Sequence, residues 1–418
     1  MRTLTFILIL LFSISGCASK EPLSDAGLGV RHQETGENSH FRFGNLPFEK
    51  YVEITKRKIL RNRVDITVEN KEKILAANSP FEWKPDAKKC PKNYQNRYKN
   101  GVLMLHGLSD SPFHMQELAR YFVGKCYLVR AMLLPGHGTV PGDLLRTRYE
   151  EWIKATEYGI NSFKGLVDNL SLVGFSTGGA LSVYGALKRE DIKSVLLFAP
   201  ALKIKNDKIF LSGTVETLSG VVDSLTWVDL AEDLDYAKYE SFPINAAYQI
   251  YQLTLRTDQL LKKRTIKIPV FIAASEDDMT IETARTVEFF TGLDNKKNRM
   301  ILYSNKTQNF KDDRITIRPG RYPKENVSEL SHLSLLASPD NAHYGRKGDY
   351  RNCLHYLQIV EKMERCKSEI RIPSGEILTG KLSGPVFRRL TYNPDFYGLL
   401  KEIDNFLIST DQSFTVSD

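Results

Sequence analysis

Six short apolar runs, each closed by a Gly, Pro, Ser or Asp turn and followed by a helical pattern, constrain this chain more than any other feature. They are Gly101–His106, Tyr127–Leu134, Ser171–Phe175, Ser194–Ala199, Pro269–Ala274 and Arg299–Tyr303. A strand with one face in water alternates apolar and polar residues. A parallel strand covered by helices on both faces has no need to, and reads as a continuous apolar run. Strand–helix alternation of this kind predicts a mostly parallel, doubly wound α/β sheet. The stretch from about residue 201 to 265 breaks the rhythm after the fourth run. It is too long for a simple connection and mostly helical in composition, so it is expected to form a cap inserted over the strand ends. The main domain is expected to span residues 96–418, with no internal repeat.

The N-terminus has a different character. Arg2 supplies a positive charge, Leu4–Phe12 is almost unbroken apolar sequence, and Ile14-Ser15-Gly16-Cys17 follows. So short an apolar stretch fits a signal peptide over residues 1–17, not a membrane span. Its end resembles the lipobox of bacterial lipoproteins. The resemblance implies acylation of Cys17 as the new N-terminus, and a chain held at a membrane by a lipid anchor. The expected location is the bacterial cell envelope, periplasm-facing or at the outer membrane. Ala18 stands where an aspartate resembles an inner-membrane retention signal, which favours the outer membrane. An ordinary secretory signal is the alternative. Residues 18–40 read as a polar tether and 46–78 as helical, and together residues 18–95 form an N-terminal extension expected to pack on the core.

The net charge of +8 is spread along the chain. With no Lys/Arg-dense block and no zinc-finger spacing, the sequence argues against nucleic acid as a partner. Beyond Cys17 the cysteines are Cys90, Cys126, Cys353 and Cys366, an even number that permits two disulfides in an exported protein. The favoured pairing is Cys353–Cys366 as a local loop and Cys90–Cys126 at the edge of the core, with free buried thiols as the alternative. None has a motif partner that suggests a metal ligand or a catalytic thiol.

Chemistry concentrates in Gly174-Phe175-Ser176-Thr177-Gly178-Gly179. Taken alone, G-x-S-x-G is a common pattern. Here an apolar strand runs into it and a helical run leaves it, the setting that exposes a nucleophile on a tight turn. A serine hydroxyl needs a base. Of the chain's eight histidines, His332 is the best placed, on a loop after the last predicted strand, with His343 second on the same loop. His355 sits in an amphipathic stretch and is expected to be structural. The orienting acid is expected just past the end of the Pro269–Ala274 strand, where Asp277 and Asp278 compete. Donors for a developing oxyanion are expected from the backbone N–H groups of Thr177 and of Leu108, which follows the first run.

These residues carry a resemblance. The chain resembles the α/β-hydrolase superfamily, and within it bacterial carboxylesterases and monoacylglycerol lipases, over residues 98–410. Leu105-His106-Gly107-Leu108 is similar to their oxyanion loop. Leu134-Pro135-Gly136-His137-Gly138-Thr139, with Pro141, Leu144 and Trp152, is similar to their Pro-Gly-His-Gly segment, and Ser331-His332 to their histidine loop. In that family the order is serine, acid, histidine, so His106 and His137 come too early to be the base. An apolar residue three positions after the acid favours Asp278, through Ile281, over Asp277. The resemblance implies hydrolysis of a small-molecule or lipid ester through an acyl-enzyme, with no cofactor and no metal. The long polar segment 305–330 and the N-terminal extension depart from the family pattern and leave the substrate range open.

Other readings compete. A serine peptidase could share the same machinery, and a non-catalytic envelope lipoprotein could use the fold for binding alone. A haloalkane dehalogenase is argued against, because its nucleophile is an aspartate and position 176 is serine.

Overall fold

The computed structural model describes residues 28–205, 227–231, 233–306, 310–378 and 383–411. Cys17 and the expected signal peptide lie outside these residues, as does the middle of the expected cap.

The N-terminal extension supplies helices α1 (Phe48–Asn62) and α2 (Lys71–Asn78) and the edge strand β1 (Phe81–Trp83). The sheet then continues through β2 (Tyr98–Leu105), α3 (Gln116–Gly124), β3 (Tyr127–Ala131), α4 (Tyr149–Asn161), β4 (Val167–Phe175), α5 (Thr177–Lys188) and β5 (Ile192–Phe198). Within the expected cap lie a short antiparallel pair, β6 (Trp227–Asp229) and β7 (Phe242–Pro243), and helix α6 (Ile244–Leu261). The sheet resumes with β8 (Val270–Ser275), α7 (Thr283–Thr291), β9 (Arg299–Ser304) and β10 (Ile315–Pro319). A C-terminal excursion carries α8 (Val360–Ser368), β11 (Ser374–Gly375) and β12 (Arg388–Arg389), and α9 (Phe396–Asp411) ends the described chain.

Eight strands form one sheet in the order β1-β3-β2-β4-β5-β8-β9-β10. Only the β1–β3 pair is antiparallel; the others run parallel. The mostly parallel, doubly wound α/β sheet expected from the apolar runs is therefore present, and all six runs are strands. Their continuous apolar sequence has a direct cause: every residue of β3 and of β8 is buried. β4 is central, between β2 and β5, so the turn that follows it opens at the middle of the sheet's carboxyl edge, where such folds place ligands.

Three differences from expectation have physical reasons. β10 lies in the long polar segment 305–330, beyond the last strand expected from the sequence, pairing Ile315 with Met300 and Pro319 with Ser304. It is an edge strand with no fully buried residue, so it needs no apolar run and tolerates a terminal proline. Residues 28–40 are packed instead of tethering. Thr35 donates to Asp143 (2.8 Å), Asn38 Nδ2 to the His137 carbonyl (2.6 Å), and Gly142 crosses so close to Gln33 that a Cβ would stand 2.2 Å from the Gln33 carbonyl oxygen. The described part of the cap is less helical than its composition suggests: α6 packs on α4 and α5, while the loop before it meets the loop after β2, with Tyr239 N–H donating to the Ser109 carbonyl (2.7 Å).

The extension is joined to the core through Tyr51. Its hydroxyl donates to the Leu133 carbonyl (2.9 Å) and accepts from the Leu133 N–H (3.0 Å), inside an aromatic cluster with Phe41, Phe43, Phe48 and Tyr158. Cys90 is bonded to Cys126 and Cys353 to Cys366. Among the described residues, no helix is long and apolar enough to cross a membrane.

Candidate active site

β4 delivers Ser176 to the N-cap of α5 with φ +52° and ψ −112°. A non-glycine residue avoids that conformation unless its surroundings over-determine it. Here they do. Ser176 N–H donates to the Phe198 carbonyl (2.9 Å), and its carbonyl accepts from Ala180 (3.1 Å) and Ala201 (2.9 Å). The flanking glycines are required by close approach. A Cβ on Gly174 would lie 2.1 Å from the Gly178 carbonyl oxygen, and one on Gly179 would lie 2.8 Å from Pro200. The resulting turn is sharp, and Ser176 is 7% exposed at its tip.

Three side chains from distant parts of the chain meet there. His332 Nε2 lies 3.0 Å from Ser176 Oγ, and His332 Nδ1 lies 2.6 Å from Asp278 Oδ2. The other oxygen, Asp278 Oδ1, accepts from the N–H groups of Thr280 (2.7 Å) and Ile281 (2.9 Å). Asp278 is wholly buried, so it is held by hydrogen bonds rather than by solvent. Nδ1 faces a carboxylate and carries the proton, which leaves Nε2 lone-paired toward the serine. Of the two competing acids, Asp278 is the one beside His332. The base candidate His343 sits in a different cluster: its Nε2 lies 2.8 Å from Asp235 and its Nδ1 contacts Asp349, with no serine between. His355 packs against the Phe387 carbonyl (3.1 Å), and burial lowers its pKa to about 4.

Thr177 directly follows Ser176, and Leu108 follows Gly107, whose Cβ would lie 3.4 Å from Ser176 Cβ. Thr177 is the first residue of α5, where backbone N–H groups lack intrahelical acceptors and the helix dipole favours negative charge. Among the described residues, neither its N–H nor that of Leu108 has an acceptor. The Leu108 loop approaches Ser176 over Gly107, whose Cβ would lie 2.9 Å from the Phe175 ring.

Two buried histidines brace this loop. His106 Nε2 accepts from Leu134 N–H (3.0 Å), so its Nδ1 carries the proton and donates to the Gly107 carbonyl (2.7 Å). His137 Nε2 accepts from Ser109 N–H (3.0 Å), and its Nδ1 donates to the Pro135 carbonyl (3.0 Å). Both need to be neutral to do this. Burial lowers the pKa of His106 well below the usual range and that of His137 to about 4. Trp152 Nε1 donates to the same Pro135 carbonyl (3.0 Å). The Pro-Gly-His-Gly segment thus fixes the residues on both sides of Leu108.

Residues 96–307 match the family described as serine aminopeptidase, S33. The chain belongs to this family of α/β hydrolases. The matched span holds Leu108, Ser176, Thr177 and Asp278; His332 lies beyond it. The chain is similar to a thermostable monoacylglycerol lipase of Bacillus sp. (strain H-257), 27% identical over 49% of this chain and 81% of the relative. It is similar also to a carboxylesterase of Bacillus subtilis (strain 168), 23% identical over 44% of this chain and 73% of the relative. Among solved structures, a Paleococcus ferrophilus monoacylglycerol lipase aligns at 19% identity and a TM-score of 0.42, covering 54% of this chain and 88% of that one.

Some residues at the site have no signature in the sequence. Glu376 is completely buried and accepts from the His332 N–H (2.9 Å), with Arg389 at 2.9 Å on its other oxygen. Burial opposes its ionisation, but Arg389 and the His332 N–H outweigh this and hold the carboxyl below its usual range. Asp110, just past Leu108, is buried 3.5 Å from His114, and burial pushes its carboxyl up to about 7 against the pull of Lys238.

Proposed function

We propose that the protein is a serine hydrolase that cleaves carboxylic esters, with Ser176 as nucleophile, His332 as general base and acid, and Asp278 as the residue that orients the imidazole. The observation that carries this is the continuous path from Ser176 Oγ through the His332 ring to a buried Asp278 whose remaining oxygen is saturated by backbone N–H groups.

The path supports a two-stage reaction. His332 Nε2 takes the hydroxyl proton as Ser176 Oγ attacks the ester carbonyl carbon. The carbonyl oxygen becomes an alkoxide and is received by the N–H groups of Leu108 and Thr177. The imidazolium then gives its proton to the leaving alcohol as the C–O bond breaks, and Asp278 stabilises the imidazolium throughout. Water, deprotonated by the same Nε2, releases the acid from the acyl-enzyme. The substrate class is proposed from the relatives, a monoacylglycerol lipase and a carboxylesterase: an uncharged small-molecule or lipid ester.

The family description supports a second reading, an aminopeptidase using the same residues. One panel separates the two: p-nitrophenyl esters of rising acyl length and monoacylglycerols against aminoacyl p-nitroanilides. Turnover of the esters, with fluorophosphonate labelling that disappears in Ser176→Ala, is the expected result. Turnover of the anilides alone overturns ester hydrolysis, and labelling that survives Ser176→Ala overturns the nucleophile.

We also propose that the enzyme works at the bacterial cell envelope, anchored through acylated Cys17. Support comes from the sequence Arg2, Leu4–Phe12 and Ile14-Ser15-Gly16-Cys17. Metabolic labelling with an alkynyl fatty acid should mark the wild type and not Cys17→Ser. Equal labelling of the two removes the anchor.

A further inference from the structure

The C-terminal excursion, residues 352–390, leaves the sheet after the histidine loop and returns to it before α9. It has its own small core of Tyr356, Ile372 and Val386 around the Cys353–Cys366 disulfide. It is tied to the stem of the histidine loop by backbone: Ser374 N–H donates to the Asn326 carbonyl (2.9 Å), and Ser328 N–H donates to the Ser374 carbonyl (2.9 Å). Gly375 allows the contact, since a Cβ there would lie 2.5 Å from Glu329 Oε2 and 3.0 Å from the Glu329 nitrogen. β11 and β12 pair in parallel, so Glu376 and Arg389, at the ends of the two strands, come together.

Glu376 then touches both halves of the histidine–acid pair at their backbones. Its Oε2 accepts from His332 N–H (2.9 Å) and from Met279 N–H (3.3 Å), the residue directly after Asp278. Its Oε1 accepts from Arg389 Nε (2.9 Å) and Ile377 N–H (2.9 Å). Arg389 Nη2 reaches Oε2 (3.3 Å) and Thr280 Oγ1 (3.1 Å), so it grips the acid turn as well. Ser331, beside the histidine, donates its hydroxyl to the Leu390 carbonyl (2.6 Å). His332 and Asp278 sit on separate loops after different strands. Glu376 is a shared acceptor for the N–H groups of His332 and of Met279, next to Asp278, whose side chain lies 2.6 Å from His332 Nδ1.

We propose that Glu376 is a positioning residue for hydrolysis, carried by the disulfide-clamped strap 352–390, and that it sets the His332–Asp278 geometry by receiving the His332 and Met279 N–H groups on one oxygen. The inference rests on the Ser176–His332–Asp278 reading of the site. Glu376 touches no substrate. Its carboxylate is needed in ionised form, because all five of the contacts named above come to it from N–H donors. Glutamine has the same shape but turns an NH2 group toward at least one of them.

The test uses the full chain. Glu376→Gln, confirmed folded by near-UV circular dichroism, is expected to lose about 10- to 100-fold in kcat, the cost of a small misplacement of reacting groups. Its KM for a p-nitrophenyl ester should stay within about 3-fold, since ground-state binding is untouched. The downfield proton NMR line of the His332 Nδ1–H should shift or broaden. Glu376→Asp keeps the charge and is expected to recover part of kcat. A folded Glu376→Gln with unchanged kcat, or with lower kcat and an unaltered downfield line, overturns the inference. Should Glu376→Gln not fold, Arg389→Lys is judged by the same two readouts, with the same outcomes for and against. Loss of fluorophosphonate labelling in Ser176→Ala is read separately, so failure of the strap and failure of the triad are distinguishable.

Discussion

Gly178 passes so close to Leu105 that a Cβ would stand 2.0 Å from the Leu105 carbonyl oxygen. The neighbour is backbone of the central sheet, so no side-chain rotation relieves the overlap. Gly178→Ala is therefore expected to lose about 3 kcal/mol or more of stability, at the upper end for overpacking. It should also displace Thr177 N–H from the oxyanion position. A urea melt measures the first effect and the rate of fluorophosphonate labelling the second. Wild-type values for both would show that the elbow has slack the geometry denies.

The two adjacent acids should differ sharply. Asp278→Asn leaves the shape intact but faces His332 Nδ1 with an amide that stabilises the wrong tautomer, so kcat should fall by roughly 10⁴-fold. Asp277→Asn should stay within about 3-fold of wild type, because a group outside the reacting array changes little. Comparable losses in the two variants would mean that the acid is not unique to position 278.

Stability should carry the mark of His137. Its folded pKa, about 4, lies below its unfolded value of 6.5. The unfolded chain therefore binds more protons between those values, and stability falls as pH drops through that window. Between pH 7.5 and 5 this one residue removes on the order of 2 kcal/mol. Asp110 and Glu240, both pushed up to about 7 chiefly by burial, act in the opposite sense as pH rises. The comparison is thus between variants and not absolute. His137→Gln should be less stable at pH 7.5 yet lose less on going to pH 5, as read from urea midpoints. An equal loss in both proteins would exclude His137 as the source.

Tyr51 tests whether the N-terminal extension supports the site. Removing its hydroxyl leaves the buried N–H and carbonyl of Leu133 without their partner, an expected cost of about 1–3 kcal/mol. Leu133 lies directly before the segment that braces Leu108. Tyr51→Phe should accordingly lower kcat as well as the melting temperature. Lower stability with full kcat would confine the extension to a scaffolding role.

Much of this was legible in the sequence, and for identifiable reasons. Strands buried on both faces leave continuous apolar runs, so β2, β3, β4, β5, β8 and β9 could be read directly. Ser176 was legible because the constraint on its neighbours is local: the turn demands small residues at fixed offsets. Asp278 was harder, since Asp277 occupies an equivalent place by composition, and only the fold decides which carboxylate turns toward the histidine. β10 was hidden by its exposure, and the packing of residues 28–40 by polarity, because that segment is held through side-chain hydrogen bonds and not through apolar burial. Glu376 left no trace. Its role depends on β11 and β12 bringing together residues 13 apart and setting them against a loop 44 residues upstream, a relation that no local pattern encodes.

The strap also bears on the order in which the enzyme comes into being. Ser176 and Asp278 are made before His332, and Glu376 and Arg389 emerge later still. A nascent chain, or one cut short before β12, would hold the nucleophile while lacking the clamp that aligns its base.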